Sequence, residues 1–289
     1  MLPTFIIGLR EGLEGALIVG IVAAFLAQQG RRDALRQVWF GTALAVVICL
    51  AVGVILKIVS ADLPQQGQER LETVVGVIAV GMVTYMVIWM RSHARDLKGD
   101  LELATASALE QNSTKALVLM AFLAVMREGF ETVVFLIAAF NASGNAKASG
   151  FGALLGILTA VAGGYAIYKG GLKINLQRFF RVTGLVLVVI AAGLVMTAFH
   201  TAHEGGWVTF GQHQMFDLTW FVRPGSVGSS LVTGVLGIQP FPNQIEVFSW
   251  AVYLVPMVLV VCWPARRRTA ARAPVAQPAS LPSLPRVHS

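Results

Sequence analysis

The sequence predicts an all-α membrane protein of seven transmembrane helices, with the N-terminus outside and the C-terminus inside. Three observations carry this prediction. The chain of 289 residues is 56% hydrophobic and only 13% charged, whereas soluble domains carry about 25% charged residues. Seven segments are apolar over the roughly 17–25 residues that a spanning helix needs. Lys and Arg are concentrated in alternate loops, sixteen on one side and three on the other, and the positive side is cytoplasmic.

The predicted spans follow in chain order along residues 2–28, 38–59, 71–90, 116–140, 151–168, 182–199 and 247–263. Helix is the only suitable structure, because a lone strand leaves unpaired backbone groups in lipid and barrel strands alternate polar with apolar residues. The polar stretch 92–114 is interpreted as an amphipathic helix on the membrane surface. An outer loop covers 200–246, and a basic, proline-rich tail at 265–289 is predicted to be disordered.

The net charge of +7 does not indicate a nucleic-acid partner. Most of the positive charge lies in the loops on the predicted cytoplasmic side, as the positive-inside rule requires. Cys49 and Cys262 lie in apolar runs, so we interpret both as packing residues rather than as a disulfide or a metal motif. The high apolar content of the chain implies that membrane lipid surrounds it.

Two short stretches with the pattern R-E-G-x-E lie inside the first and fourth predicted spans. Their charged residues are Arg10, Glu11 and Glu14 in the first copy, and Arg127, Glu128 and Glu131 in the second. The copies are 117 residues apart, and this offset aligns repeat one (1–91) with repeat two (116–200). Each repeat has three spans, an odd number, so the second is predicted to be inverted relative to the first. Inverted repeats are typical of transporters, whose ion site lies where the repeats meet.

The motif charges are predicted to face each other rather than lipid. A charge at the bilayer centre costs roughly 2.5–3.5 kcal/mol, so six facing lipid would exceed the usual net stability of about 5–15 kcal/mol. On a helix the two glutamates of a motif share one face, and the arginine can pair with the second glutamate one turn away. Four carboxylates and two guanidinium groups would then converge. Such an oxygen-rich site suits a hard cation such as Fe³⁺, Mn²⁺, Mg²⁺ or Ca²⁺.

A purely structural interpretation of the motifs is also open, in which each Arg–Glu pair only locks helices together. Buried ion pairs are often no more stabilising than apolar packing, so two related copies call for a further reason. Paired carboxylates on helices also hold di-iron centres, which leaves a membrane di-iron redox enzyme as an alternative. That site would normally use histidine ligands, and none lies within the apolar spans near either motif. A third alternative is a proton-coupled transporter of another divalent cation.

The doubled motif, R-E-G-L-E and R-E-G-F-E in the first and fourth helices, resembles the signature of the oxidase-dependent iron transporter family. That family includes fungal high-affinity iron permeases and bacterial Efe-type iron permeases. The stretches "AHEGGW" and "FPNQIEVFSWAVYLVP" support the likeness to the bacterial branch, which extends over residues 1–264 and not into the tail.

The resemblance implies high-affinity iron import across the cytoplasmic membrane, with Fe²⁺ or Fe³⁺ as transported substrate and no permanently bound cofactor. It implies a periplasmic iron-binding protein and a haem peroxidase as partners. The expected iron ligands are Glu11, Glu14, Glu128 and Glu131, with Arg10 and Arg127 as their ion-pair partners. Rocking of one repeat against the other would release the ion inward.

Acidic and histidine side chains near the predicted outer surface are candidates for an ion-attracting mouth. These are Glu69, Glu72, His203 and Glu204, with Asp62 and His200 nearby. The alternative for the first two is a solvated helix start, where the helix dipole favours acids. The alternative for the others is a polar helix cap.

Overall fold

The computed structural model describes residues 1–28, 30–93, 114–143, 146–168, 176–209 and 241–263, with the single residues 211, 213, 215 and 238. Seven helices account for nearly all of these ranges. They are α1 (Leu2–Gln28), α2 (Arg32–Ala61), α3 (Gln65–His93), α4 (Thr114–Ser143), α5 (Ala146–Tyr168), α6 (Leu176–Glu204) and α7 (Gln244–Cys262).

Each predicted span coincides with one of the seven helices, but α2, α3, α4 and α6 extend beyond the apolar runs at both ends. Hydropathy marks only the part of a helix that lipid would cover, whereas backbone hydrogen bonding continues through polar turns. Most of the predicted surface helix, residues 94–113, lies outside the described residues, as does the tail from residue 264.

Five helices, α2, α3, α5, α6 and α7, are long and apolar enough to cross a membrane. The other two, α1 and α4, are those that carry the charged motifs. Leu50, Val54 and Ile58 on α2 are exposed, large and apolar. Apolar surface of this extent requires lipid rather than water, so the chain is a multi-pass membrane protein.

Local signals fix where two of the helices end and begin. Gly30 has a φ of 69°, and the amides of Gly30 and Arg31 donate to the carbonyls of Ala27 and Leu26. This arrangement closes α1 and suits glycine, which has no Cβ to oppose positive φ. At the start of α7, Asn243 and Glu246 form a reciprocal capping box.

Helix α1 packs mainly on α5, α2 mainly on α4, and α3 mainly on α6. The α1–α5 pair is parallel, because Gly12 faces Ala160 and Ala16 faces Gly164. Residue numbers therefore rise together along the two helices.

The α2–α4 pair is also parallel, since Gly41 faces Phe122 and Gly53 faces Val133. Helices α3 and α6 are antiparallel. Their contacts pair Thr73 with Thr201 near one end and Val87 with Gly184 near the other. Helix α7 packs on α6 and α3, where the Tyr253 hydroxyl lies 2.9 Å from the Thr84 hydroxyl.

Candidate metal site

Three of the four motif glutamates meet where α1 crosses α4. Glu11 comes from α1, and Glu128 and Glu131 come from α4. One carboxylate oxygen from each lies within 4.8 Å of the others. All three residues are almost completely buried, with exposed fractions of 1%, 8% and 9%. The structure thus brings both motif copies to one place, as the sequence predicts.

The glycine of each motif lets its helix approach a neighbour closely. A Cβ on Gly12 would lie 2.7 Å from the Cβ of Ala160 on α5, and one on Gly129 would lie 2.6 Å from the Sγ of Cys49 on α2. Both distances are too short for a real side chain. Each motif therefore packs its glycine against a neighbouring helix, while Glu11, Glu128 and Glu131 meet at the α1–α4 crossing.

The position of Glu14 does not agree with the prediction that all four carboxylates converge. Glu14 lies outside the group of three and pairs with Arg10, whose Nε is 3.2 Å from the Glu14 Oε1. The Nη1 of Arg10 is 3.9 Å from the Glu11 Oε1. Because Arg10 is fully buried at 0% exposure, it is a fixed positive charge beside the carboxylate group.

Arg127 has the same place in its motif but different surroundings. Its Nε donates to the Glu131 Oε1 over 3.1 Å, as predicted for i and i+4 residues. Its guanidinium also lies 5.7 Å from the centroid of the Trp89 ring on α3, within cation–π range. Unlike Arg10, its side chain is 51% exposed. The two motifs therefore share the pattern R-E-G-x-E, with Leu13 and Phe130 at the variable position, and differ in environment.

Several polar atoms of the site have no hydrogen-bond partner among the described residues. They are Nη1 and Nη2 of Arg10, both carboxylate oxygens of Glu11 and Oε2 of Glu128. The Nε of Arg10 and the Oε1 of Glu14 form an ion pair at 3.2 Å, although their geometry is not that of a hydrogen bond. More than about 90% of buried polar groups in proteins are hydrogen-bonded, so a concentration of unpaired ones indicates a place for an ion or water. Fully ionised, four carboxylates and two guanidinium groups carry a net charge of −2.

The predicted outer-mouth residues lie at the ends of α3 and α6. Glu69 and Glu72 on α3 are half-buried, and both lie close to the carboxyl group of Glu204 on α6. His203 is exposed, and its Nδ1 lies 2.8 Å from the Val208 carbonyl oxygen in the turn after α6. The structure thus brings the three glutamates into one neighbourhood and engages His203 with that turn.

His200 and Glu246 have a larger part in the predicted outer cluster than the sequence indicates. The other members of this outer cluster are Glu69, Glu72 and Glu204. The two ring nitrogens of His200 lie 2.9 Å from Glu246 on α7 and 3.5 Å from Glu204. Glu246 is 2% exposed, and it is not among the site residues predicted from the sequence. The capping pattern N-x-x-E at residues 243–246 was the available signal, although it indicates a helix start and not a contact with α6.

A sequence model of the iron permease FTR1 family matches residues 1–267. The chain is similar to ferrous iron permease EfeU of Shigella sonnei, with 40% identity over 92% of this chain and 97% of that protein. The protein of the same name from Escherichia coli O157:H7 gives the same values. That from Yersinia pestis is 39% identical over 92% of this chain and 95% of its own length.

No solved structure matches the chain. The family match covers all seven helices and both motif copies, and the relatives named above are permeases and not enzymes. The chain is therefore a transporter, and it belongs to the iron permease FTR1 family.

Proposed function

We propose that this protein imports iron with high affinity across the cytoplasmic membrane, and that Glu11, Glu128 and Glu131 hold the ion in transit. The observation that carries the proposal is the meeting of three buried carboxylates from both motif copies. Carboxylate oxygens suit iron, a hard to borderline cation. Glu14 is the fourth predicted ligand, and it pairs with Arg10 beside the group of three.

The charge of the site favours a divalent ion. With four carboxylates and two arginines ionised, the net charge is −2, which one Fe²⁺ neutralises and one Fe³⁺ overcompensates. The relatives are named as ferrous iron permeases. Iron is here the transported substrate and not a resident cofactor. The predicted periplasmic iron-binding protein and haem peroxidase remain proposed partners.

We also propose the inverted repeat, and equivalent contacts in the two halves support it. Gly12 contacts Ala160, and Gly129 contacts Cys49. The two glycines are 117 residues apart, and their two partners are 111 residues apart. The first helix of each repeat therefore meets the second helix of the other repeat at the same register.

The same relation recurs one turn further along both pairs. Ala16 contacts Gly164, and Val133 contacts Gly53. These positions are again 117 and 111 residues apart. A two-fold relation that exchanges the two repeats accounts for both sets of contacts, and the antiparallel α3–α6 pair is compatible with it.

The topology that follows has seven spans with the N-terminus outside. A reporter enzyme that works only in the cytoplasm should be active when fused after residue 264. A reporter enzyme that works only in the periplasm should be active when inserted at residue 145. The reason is the concentration of Lys and Arg on one side. Fusions after residues 30 and 62 give the internal comparison, inside and outside respectively. The reverse pattern would contradict the proposed orientation.

The outer cluster is proposed to attract cations rather than to bind them in transit. Replacing both Glu69 and Glu72 with Gln should raise the half-saturating iron concentration several-fold and leave the maximum rate largely intact, because local negative charge raises the concentration of cations at the mouth. Kinetics at low and high ionic strength check this, since salt screens such attraction. Complete loss of transport at saturating iron would place these residues in the translocation site.

The experiment that tests the function is uptake of ⁵⁵Fe into proteoliposomes at controlled redox potential. We expect uptake of Fe²⁺ at low micromolar concentration that unlabelled Mg²⁺ or Ca²⁺ in large excess does not abolish. The alternative transporter of another divalent cation, coupled to protons, predicts preference for that cation and a stoichiometric pH change in the vesicle lumen. Absence of iron uptake by the correctly inserted protein would contradict the proposal.

A further inference from the structure

The packing of the helices indicates which parts of the molecule move together. We propose that transport moves the α1–α5 pair against the α2–α4 pair, and that each pair, built from one helix of each repeat, behaves as a rigid body. This differs from rocking of one whole repeat against the other. The proposal rests on the proposed function, because it describes how the same carboxylate site opens and closes.

The α1–α5 pair is held by direct contact between backbones. A Cβ on Gly8 would lie 2.8 Å from the carbonyl oxygen of Ala153, and Gly156 faces the carbonyl oxygen of Phe5 in the same way. Small residues at such interfaces bring helices close enough for extensive van der Waals contact, the main attraction between helices in lipid. Sliding these helices would drive side chains into backbone atoms.

The α2–α4 pair is packed in the same manner around Gly129. The Cys49 Sγ occupies the space beside this glycine and lies 3.6 Å from the Sδ of Met126. Gly41, nearer the start of α2, makes a similar contact with Val118 on α4. A Cβ added to Gly41 would lie 3.1 Å from the Cγ1 of this valine. The contact therefore extends over at least two turns of both helices.

The boundary between the two pairs carries charged groups in addition to apolar contacts such as that of Val19 on α1 with Val125 on α4. Glu11 belongs to one pair, and Glu128 and Glu131 belong to the other. Without a cation these carboxylates repel each other across the boundary, whereas a cation attracts all three. Separation of the pairs would take the ligands apart and release the ion without disturbing either glycine-lined interface.

The two arginines differ in exposure, and in the proposed motion this difference corresponds to a boundary that is closed around Arg10 and open around Arg127. Arg10 is fully buried, whereas the side chain of Arg127 is 51% exposed beside Trp89. These residues are equivalent under the exchange of the two repeats. Exchanging the two environments would bury Arg127 and expose Arg10, which gives the opposite access state that alternating transport needs.

A disulfide within the α2–α4 pair separates the two descriptions of the motion. The Cβ of a residue at 41 would lie 3.8 Å from the Cβ of Phe122, and disulfides have Cβ–Cβ distances of about 3.5–4.5 Å. Gly41→Cys with Phe122→Cys therefore joins repeat one to repeat two inside one proposed body. The background carries Cys49→Ala and Cys262→Ser, so that no other thiol reacts.

We expect the oxidised Gly41→Cys/Phe122→Cys protein to take up iron within twofold of its reduced form. A matched pair, Val19→Cys with Val125→Cys, joins α1 to α4 across the boundary, where both valines share one buried cluster. A short bis-maleimide link there should reduce uptake at least tenfold relative to the unlinked protein. The proposal is overturned if the oxidised 41–122 protein loses uptake as completely as the linked 19–125 protein does. That result would support motion of one repeat against the other.

Iron uptake by the unlinked variants tests the proposed function separately, because both contain the intact site. If the unlinked variants transport nothing, the rates of bis-maleimide linking still test the moving parts. We expect addition of Fe²⁺ under ascorbate to change the linking rate at 19–125 and to leave that at 41–122 unchanged. Equal changes at the two pairs would contradict the proposal even without transport data.

Discussion

Glu11→Gln and Glu128→Gln are each expected to reduce iron uptake by more than about 100-fold, since loss of even a supporting partner of a metal ligand costs about 10–100-fold. The substitution keeps the shape of the side chain and removes one of the charges that meet at the α1–α4 crossing. The Glu11 oxygens have no hydrogen-bond partner among the described residues, so its carboxylate is free to bind the ion. The measurement is the initial rate of ⁵⁵Fe uptake per inserted protein.

Asp33→Asn, an exposed carboxylate in the first turn of α2, is the matched control and should transport normally. Iron bound to the purified wild-type protein should also decrease as the pH is lowered, because protons and metal compete for the same oxygens. If Glu11→Gln and Glu128→Gln proteins both transport iron at near-normal rates, the motif is structural and the ion is held elsewhere.

The helices were largely predictable because the bilayer acts on each segment separately, according to its own length and apolar composition. Any span such as 38–59 or 182–199 must be apolar and helical, and all seven predicted spans coincide with helices. The convergence of the motifs was also predictable, since buried charges on α1 and α4 need partners other than lipid. The lengths of α2, α3, α4 and α6 were underestimated, because hydropathy detects the apolar part of a helix and not its polar ends.

The inequality of the two motifs could not be predicted from the sequence. The pattern R-E-G-x-E is the same around Arg10 and Arg127, and only packing by residues distant in the chain makes one buried and the other half-exposed. The pairing of Glu14 with Arg10 one turn away was predicted, but the position of Glu14 outside the group of three was not. Glu246 was missed for a related reason, because its partner His200 is on another helix.

Arg10→Lys and Arg127→Lys make the same change at equivalent positions and should have very different effects. Arg10 is fully buried between Glu14, 3.2 Å from its Nε, and Glu11, 3.9 Å from its Nη1. Lysine keeps the charge but cannot provide several N–H groups in the fixed plane of a guanidinium. We expect severe loss of both iron uptake and thermal stability in detergent for Arg10→Lys.

Arg10→Ala should be more harmful still, since it leaves carboxylates buried without their cation, and breaking a buried pair costs about 3–5 kcal/mol. Arg127 is half-exposed, and a lysine at this position keeps the positive charge beside Glu131 while it remains open to solvation. Arg127→Lys should therefore leave stability near that of the wild type, with a moderate effect on uptake through the contact with Trp89. Melting temperature and uptake rate measured on all three variants check the contrast. Equal losses at positions 10 and 127 would mean that the two motifs share one environment in the membrane, which would contradict the asymmetry on which the closed and open sides of the site depend.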